Sequence, residues 1–166
     1  MAVGSRVVQG VGLLGWLGLC FAAAALGAAG SMSAPEVYAR LVQPDWAPPG
    51  WLFGPVWTVL YTLMALSAWG IWRELGFARG RWLLGVFLLQ LALNALWSWT
   101  FFAWQSGWLS MLVIVTLWGL ILACIGMFWR VRRWTALILL PYLAWVGFAA
   151  VLNAAMWRLN PEWLGG

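Results

Sequence analysis

The sequence contains no histidine and no lysine, and only two of its 166 residues are cysteine. A zinc centre or a histidine-ligated haem would lack its usual ligands in such a chain. Cys20 and Cys124 fall in separate apolar runs, so we interpret both as buried small hydrophobic residues. No metal site and no required cofactor are therefore expected.

Charge is also scarce, since charged residues make up 8% of the chain and hydrophobic residues 65%. A soluble domain has about a quarter charged residues, so the composition predicts an integral membrane protein. The length suits one domain, residues 1–166, without a second soluble domain. A cleaved signal peptide is not expected, because no clean small-residue cleavage context follows the first apolar run.

Five apolar stretches reach the roughly 20 residues that a helix needs to cross the hydrocarbon core. An open sheet cannot span lipid, and the stretches lack the alternation of barrel strands. The fold class is therefore predicted as all-α, a bundle of five transmembrane helices. The predicted spans are 7–29, 51–72, 81–104, 108–129 and 134–158.

The connections between these spans are unequal in length. The segment from Arg73 to Gly80 and the segment from Arg130 to Arg133 are short and basic, and Gln105 to Gly107 is a tight turn. The first connection, Gly30 to Gly50, is long and rich in proline and aromatic residues. Long loops in compact proteins are usually functional, so this one is predicted to act as a lid.

The nine arginines give a net charge of +5, and seven of them fall on one predicted face. Those seven are Arg6, Arg73, Arg79, Arg81, Arg130, Arg132 and Arg133. The positive-inside rule explains this distribution better than nucleic-acid binding does. It places the N-terminus in the cytoplasm of a bacterial inner-membrane protein, with the C-terminus and the first loop outside.

Tryptophan is the abundant residue, with seventeen copies. Those near predicted span ends suit an interface belt: Trp46, Trp51, Trp69, Trp72, Trp82, Trp104, Trp108, Trp129, Trp134, Trp157 and Trp163. Six others lie deeper: Trp16, Trp57, Trp97, Trp99, Trp118 and Trp145. For any one of these six, helix packing or lipid contact is the simpler interpretation.

Polar neighbours favour a binding site for some of the deep rings. Gln90, Asn94 and Trp97 share one helical face, and carboxamides in mid-membrane need protein, a cavity or a ligand beside them. At about 1.5 Å of rise per residue, Trp57, Asn94 and Trp145 lie about 9, 15 and 20 Å from the long-loop face. They can line one chamber for a flat apolar ligand with polar edges.

Three sequence blocks carry a resemblance to a known family. They are Trp46-Ala-Pro-Pro-Gly-Trp51-Leu-Phe-Gly-Pro-Val-Trp57-Thr-Val-Leu-Tyr61, Asn94-Ala-Leu-Trp97-Ser-Trp-Thr-Phe-Phe102 and Pro141-Tyr-Leu-Ala-Trp145-Val-Gly-Phe-Ala149. The last continues through Leu152-Asn153 to Asn160. In this order the blocks resemble the translocator protein, or tryptophan-rich sensory protein, family (TspO/MBR).

The resemblance implies a five-helix bundle that binds porphyrins such as protoporphyrin IX, and often a homodimer. It also implies binding of isoquinoline carboxamide and benzodiazepine-like drugs. The implied pocket residues are Tyr38, Trp57, Asn94, Trp97, Trp108, Trp145 and Ala149. Animal members bind cholesterol through a pattern that contains a tyrosine, whereas Ala154 stands after Leu152-Asn153 here. Specific sterol recognition is therefore not expected.

Three functions remain open at this stage. The first is a receptor or sensor that sequesters porphyrin beneath the lid. The second is an enzyme that degrades protoporphyrin by photo-oxidation, with Trp57 and Trp145 as redox partners, because the spans offer no ordinary acid–base pair. The third is a porphyrin transporter, although five spans cannot divide into two equal inverted repeats.

Overall fold

The computed structural model describes residues 4–165, and this part of the chain contains helices and turns but no β-strand. Its α-helices are α1 (Arg6–Gly30), α2 (Ala34–Arg40), α3 (Phe53–Ser98), α4 (Gly107–Trp129), α5 (Arg133–Leu137), α6 (Leu140–Leu159) and α7 (Pro161–Leu164). Four helical stretches are long and apolar enough to cross a membrane: Arg6–Gly30, Gly50–Ala103, Gly107–Trp129 and Arg133–Leu159. The all-α class and the helical membrane bundle are confirmed.

The 46-residue α3 reverses direction at Gly76, which has φ 64° and ψ −178°. Only glycine adopts this backbone region readily. The side chain of Tyr61 bonds Asn94, and that of Met64 bonds Gln90, so residues 53–75 and 77–98 form two antiparallel arms. The predicted loop from Arg73 to Gly80 is therefore wrong, because one glycine makes the reversal and the flanking residues stay helical.

The last predicted span, 134–158, matches the membrane-length stretch Arg133–Leu159, which a short turn divides into α5 and α6. Turn residues Ile138 and Leu139 separate α5 from α6, and Pro141 lies in the first turn of α6. Proline is tolerated there because the N–H it lacks has no partner within the helix. The third predicted span, 81–104, differs from the structure, since residues Trp99–Ala103 form a π-helical turn.

Helix α1 packs closely on α3 through its glycines. A methyl group at Gly12 would lie 2.2 Å from the ring of Trp72, and one at Gly30 would lie 2.6 Å from the ring of Trp99. Trp72 is only 7% exposed, so its predicted place in the interface belt is wrong. The indole of Trp99 also donates to the Leu26 carbonyl at 2.9 Å. Small residues of α1 thus serve packing within the chain.

The helices bring distant loops together at two ends of the bundle. At the Arg-rich end, Trp69 bonds the Gln9 carbonyl at 2.8 Å, and Arg132 pairs with Glu74 at 2.9 Å. This end holds the start of α1, the Gly76 reversal and the α4–α5 turn. At the opposite end, which we call the loop end, Asn160 bonds the backbone of Val42. The candidate site lies toward the loop end.

Candidate functional site

Five aromatic rings form a continuous chain of contacts between the first loop and helices α3 and α6. Tyr38 of α2 contacts Phe53 at a centroid distance of 5.8 Å, and Phe53 contacts Trp145 of α6 at 5.8 Å. Trp145 contacts Phe148 at 5.5 Å, and Phe148 contacts Trp46 of the loop at 5.9 Å. We call these five residues the ring cluster. Three of its four contacts are edge-to-face and the Trp145–Phe148 contact is tilted, so a flat ligand must displace a ring to bind between two of them.

The indole N–H of Trp145 is the notable polar group of the ring cluster. Its nitrogen is buried, and no hydrogen-bond acceptor within residues 4–165 reaches it. A buried donor without a partner costs about 1–3 kcal/mol. The site therefore holds one unused donor among apolar ring faces, which suits a flat ligand that carries an acceptor on its edge.

The floor of the site is a second set of rings, one helical turn deeper. Trp57 lies 5.7 Å from Tyr61 and 6.3 Å from Tyr142, measured between ring centroids. Trp57 follows Phe53 by one turn of α3, and Tyr142 precedes Trp145 by almost one turn of α6. Helical periodicity thus stacks the two layers on the same pair of helices.

Below Trp57 the polar side chains form one buried hydrogen-bond network. Tyr61 donates to the Asn94 oxygen at 2.6 Å, and the Asn94 amide donates to the Tyr142 hydroxyl at 2.8 Å. Tyr142 in turn donates to Gln90 at 2.8 Å, and all four residues are at most 5% exposed. Both polar atoms of the Asn94 side chain are therefore hydrogen-bonded to protein groups. The part of Asn94 in ligand binding stays a prediction.

Tyr142, which no sequence pattern singled out, lies at the centre of this network. The signal that could have identified Tyr142 is the small number of tyrosines in the chain. The chain has three tyrosines, and each donates a hydrogen bond from its hydroxyl. In a chain with few polar side chains, a tyrosine beside Trp145 in a span needs an acceptor.

The first loop is fastened to the bundle at defined points. Asn160 accepts from the Val42 N–H at 2.8 Å and donates to the Val42 carbonyl at 2.9 Å, an arrangement that we call the Asn160 clamp. Tyr38 donates to the Pro48 carbonyl at 2.9 Å, and burial raises the pKa of its phenol. The clamp holds residue 42, while Trp46, four residues further along the loop, packs on Phe148.

Two of the remaining predicted site residues are buried, and the third is exposed. Ala149 is 4% exposed and lies one turn after Trp145 on α6. Trp97 is buried, stacks on Phe101 at 5.7 Å and donates to the Asn153 oxygen at 3.0 Å. Trp108 is 51% exposed at the start of α4, and no ring contact within residues 4–165 joins it to the cluster.

Comparison with known proteins finds one matching family and several relatives that are similar over most of the chain. Residues 16–158 match the TspO/MBR family. The "Tryptophan-rich protein TspO" of Chlorobaculum tepidum is 40% identical over 151 residues, which cover 87% of this chain and 93% of that protein. The human "Translocator protein" is 39% identical over 132 residues, 78% of each chain. "Protein CrtK" of Rhodobacter capsulatus is 39% identical over 145 residues, covering 84% and 89%.

Proposed function

Because the chain belongs to the TspO/MBR family, we propose that it is a membrane receptor or sensor that binds porphyrins, including protoporphyrin IX, at the ring cluster. Its relatives carry the names translocator protein and tryptophan-rich sensory protein. Related flat apolar ligands, such as isoquinoline carboxamide and benzodiazepine-like drugs, belong to the same proposal.

The observation that carries the proposal is the unpaired indole N–H of Trp145. A porphyrin has extended apolar faces for the rings of Phe53 and Phe148, and acceptor atoms at its nitrogens and carboxylates. An acceptor near Trp145 would relieve the cost of about 1–3 kcal/mol that the unpaired donor imposes. Ring contacts supply the remaining affinity and fix the plane of the ligand.

Binding requires the first loop to act as a lid, which is part of the proposal. The ring of Trp46 must leave Phe148 before a ligand can enter between Phe148 and Trp145. The loop moves from a fixed point, because the Asn160 clamp holds Val42. Pro44, Pro48 and Pro49 reduce the conformational entropy that the loop loses when it closes again.

The membrane arrangement is the second part of the proposal. We assign five crossings: α1, the two arms of α3, α4, and α5 with α6. The N-terminus lies in the cytoplasm of a bacterial inner membrane, and the lid lies outside, because the arginines gather at the other end. We also propose that the protein is a homodimer, and this part of the proposal rests on the family resemblance.

The test replaces Trp145 by phenylalanine, which keeps a ring and removes the N–H donor. We expect the dissociation constant for protoporphyrin IX to rise about tenfold or more, since a net hydrogen bond of about 1.4 kcal/mol corresponds to that factor. The Soret band of the porphyrin, titrated with protein in nanodiscs, measures the constant. Trp145→Ala should weaken binding further, because it also removes the ring.

Trp163→Phe is the matched control, because Trp163 is 53% exposed on α7 and lies outside the ring cluster. It should bind porphyrin as the unmodified chain does, and both phenylalanine variants should unfold at a similar temperature. Unchanged affinity in a folded Trp145→Ala protein would refute the proposed site.

A further inference from the structure

The turn between α4 and α5 forms an open bay at the Arg-rich end of the bundle. Residues Trp129–Trp134 line a cavity of about 640 Å³, with tryptophan at both ends and three arginines among the four residues between them. This bay is separate from the ring cluster, and the proposed function gives it no role. Its combination of cationic and amphipathic side chains points to a ligand of its own.

Hydrogen bonds hold the bay in shape. The Arg132 N–H donates to the Phe128 carbonyl at 2.8 Å, and the Thr135 hydroxyl donates to the Arg132 carbonyl at 2.7 Å. Ser67 of α3 donates to the Thr135 carbonyl at 2.8 Å, which fastens the turn to the bundle. A methyl group at Gly70 would lie 2.6 Å from the Trp134 ring, so the helix backbone supports that wall. The arginines thus project from a fixed frame.

The charge of the bay is only partly balanced. Arg132 pairs with Glu74 at 2.9 Å, and this is the ion pair found within residues 4–165. Arg130 and Arg133 have no carboxylate partner in that part of the chain. Arg133 lies over the ring of Trp129, 5.7 Å from its centroid. A guanidinium on an aromatic face keeps its edge N–H groups free for an anion.

We infer that the bay binds the phosphate headgroup of an anionic phospholipid through Arg130 and Arg133. Trp129 and Trp134 are 46% and 40% exposed at the ends of membrane-crossing stretches, a position typical of the headgroup level. Phosphate accepts paired hydrogen bonds from arginine, and basic pockets near the membrane surface favour anionic lipids. Charge and depth together therefore favour a lipid over a soluble anion.

The test compares two double variants that remove the same charge. Arg130→Gln with Arg133→Gln alters the bay but keeps the Arg132–Glu74 pair. Arg40→Gln with Arg158→Gln alters two exposed arginines at the loop end. Native mass spectrometry of protein in mixed phosphatidylglycerol and phosphatidylcholine measures the ratio of retained lipids. We expect the ratio to fall about tenfold or more in the bay variant and less than twofold in the other.

Thermal unfolding and porphyrin titration on both variants establish that they are folded. An equal fall in the two variants, or none in the bay variant, would overturn the inference, because the effect would then follow net charge alone. Inorganic phosphate at millimolar concentration supplies the third arm. If it displaces the lipid, the site binds phosphate as such and the lipid assignment is wrong; if the lipid stays bound, the assignment is supported.

Discussion

Tyr142 joins α6 to the second arm of α3 with a single hydroxyl group, which accepts from Asn94 and donates to Gln90. Phenylalanine at this position would keep the ring and leave two buried groups without partners. Each unpaired group costs about 1–3 kcal/mol, so we expect Tyr142→Phe to destabilise the protein by about 2–6 kcal/mol. Thermal unfolding in detergent, followed by circular dichroism, measures the change.

Thr116→Val is the control for this variant, since it also removes a hydroxyl but from an exposed position on α4. Its effect should stay within about 0.5 kcal/mol. Similar small shifts in both variants would mean that the network does not stabilise the fold.

Asn160 fastens the first loop through two hydrogen bonds to one residue. Leucine cannot make either bond, so Asn160→Leu should free the Val42 amide. Two bonds of about 1 kcal/mol each predict faster hydrogen exchange at this amide by about tenfold or more. Mass spectrometry of a peptide that includes residues 41–52 reports the rate. Gln43→Ala, which removes an exposed side-chain bond to Tyr38, should leave that rate unchanged; an unchanged rate in Asn160→Leu too would contradict the clamp.

At the scale of the element, the reversal in α3 depends on one backbone conformation. Gly76 has a positive φ that side chains adopt only with strain. Gly76→Ala should therefore destabilise the protein by about 1–3 kcal/mol. Gly85 is helical and has open space around it, so Gly85→Ala should stabilise by about 0.5–1 kcal/mol. Chemical unfolding in mixed micelles gives both values, and effects of the same sign would refute the argument.

The sequence predicted the positions of the apolar stretches but misplaced the breaks between them. Arg73 and Glu74 suggested a loop because they are charged, yet both are good helix formers and the arms remain helical around Gly76. Pro141 was assigned to a helix interior, whereas it lies in the first turn of α6. A charged residue or a proline indicates that the helix changes nearby, and tertiary packing decides at which residue the helix ends.

At the scale of the whole molecule, the proposed topology makes a labelling prediction. Met32→Cys and Ala78→Cys place exposed thiols at the loop end and the Arg-rich end, and the natural cysteines are buried. A membrane-impermeant maleimide added to intact cells should label Met32→Cys at once. It should label Ala78→Cys only after the membrane is permeabilised. The reverse pattern would invert the orientation, and labelling of both in intact cells would rule out five crossings.

The candidate site was predictable in part. Trp57 and Trp145 share helical faces with other aromatic residues, so periodicity predicts that they line one chamber. The predicted depth of Trp145, about 20 Å from the long-loop face, is wrong, because Trp145 contacts Phe53 at the start of α3 and the loop residue Trp46 packs on its neighbour Phe148. Periodicity cannot show that Asn94 forms hydrogen bonds with Tyr61 and Tyr142, because both partners come from other helical segments. It also cannot show that Trp46 packs on Phe148, because loop conformation is not periodic.

The Asn160 clamp connects the first loop to the last turn of α6. The two hydrogen bonds couple the first loop at Val42 to the end of α6 at Asn160, so a shift of one is expected to move the other. If closure of the loop over a ligand moves these two residues, a partner that binds the last turn of α6 must change the affinity for the ligand. The ligand must then change the affinity for that partner by the same factor. For the proposed sensor, the clamp would thus link an occupied pocket reciprocally to a second binding event outside it.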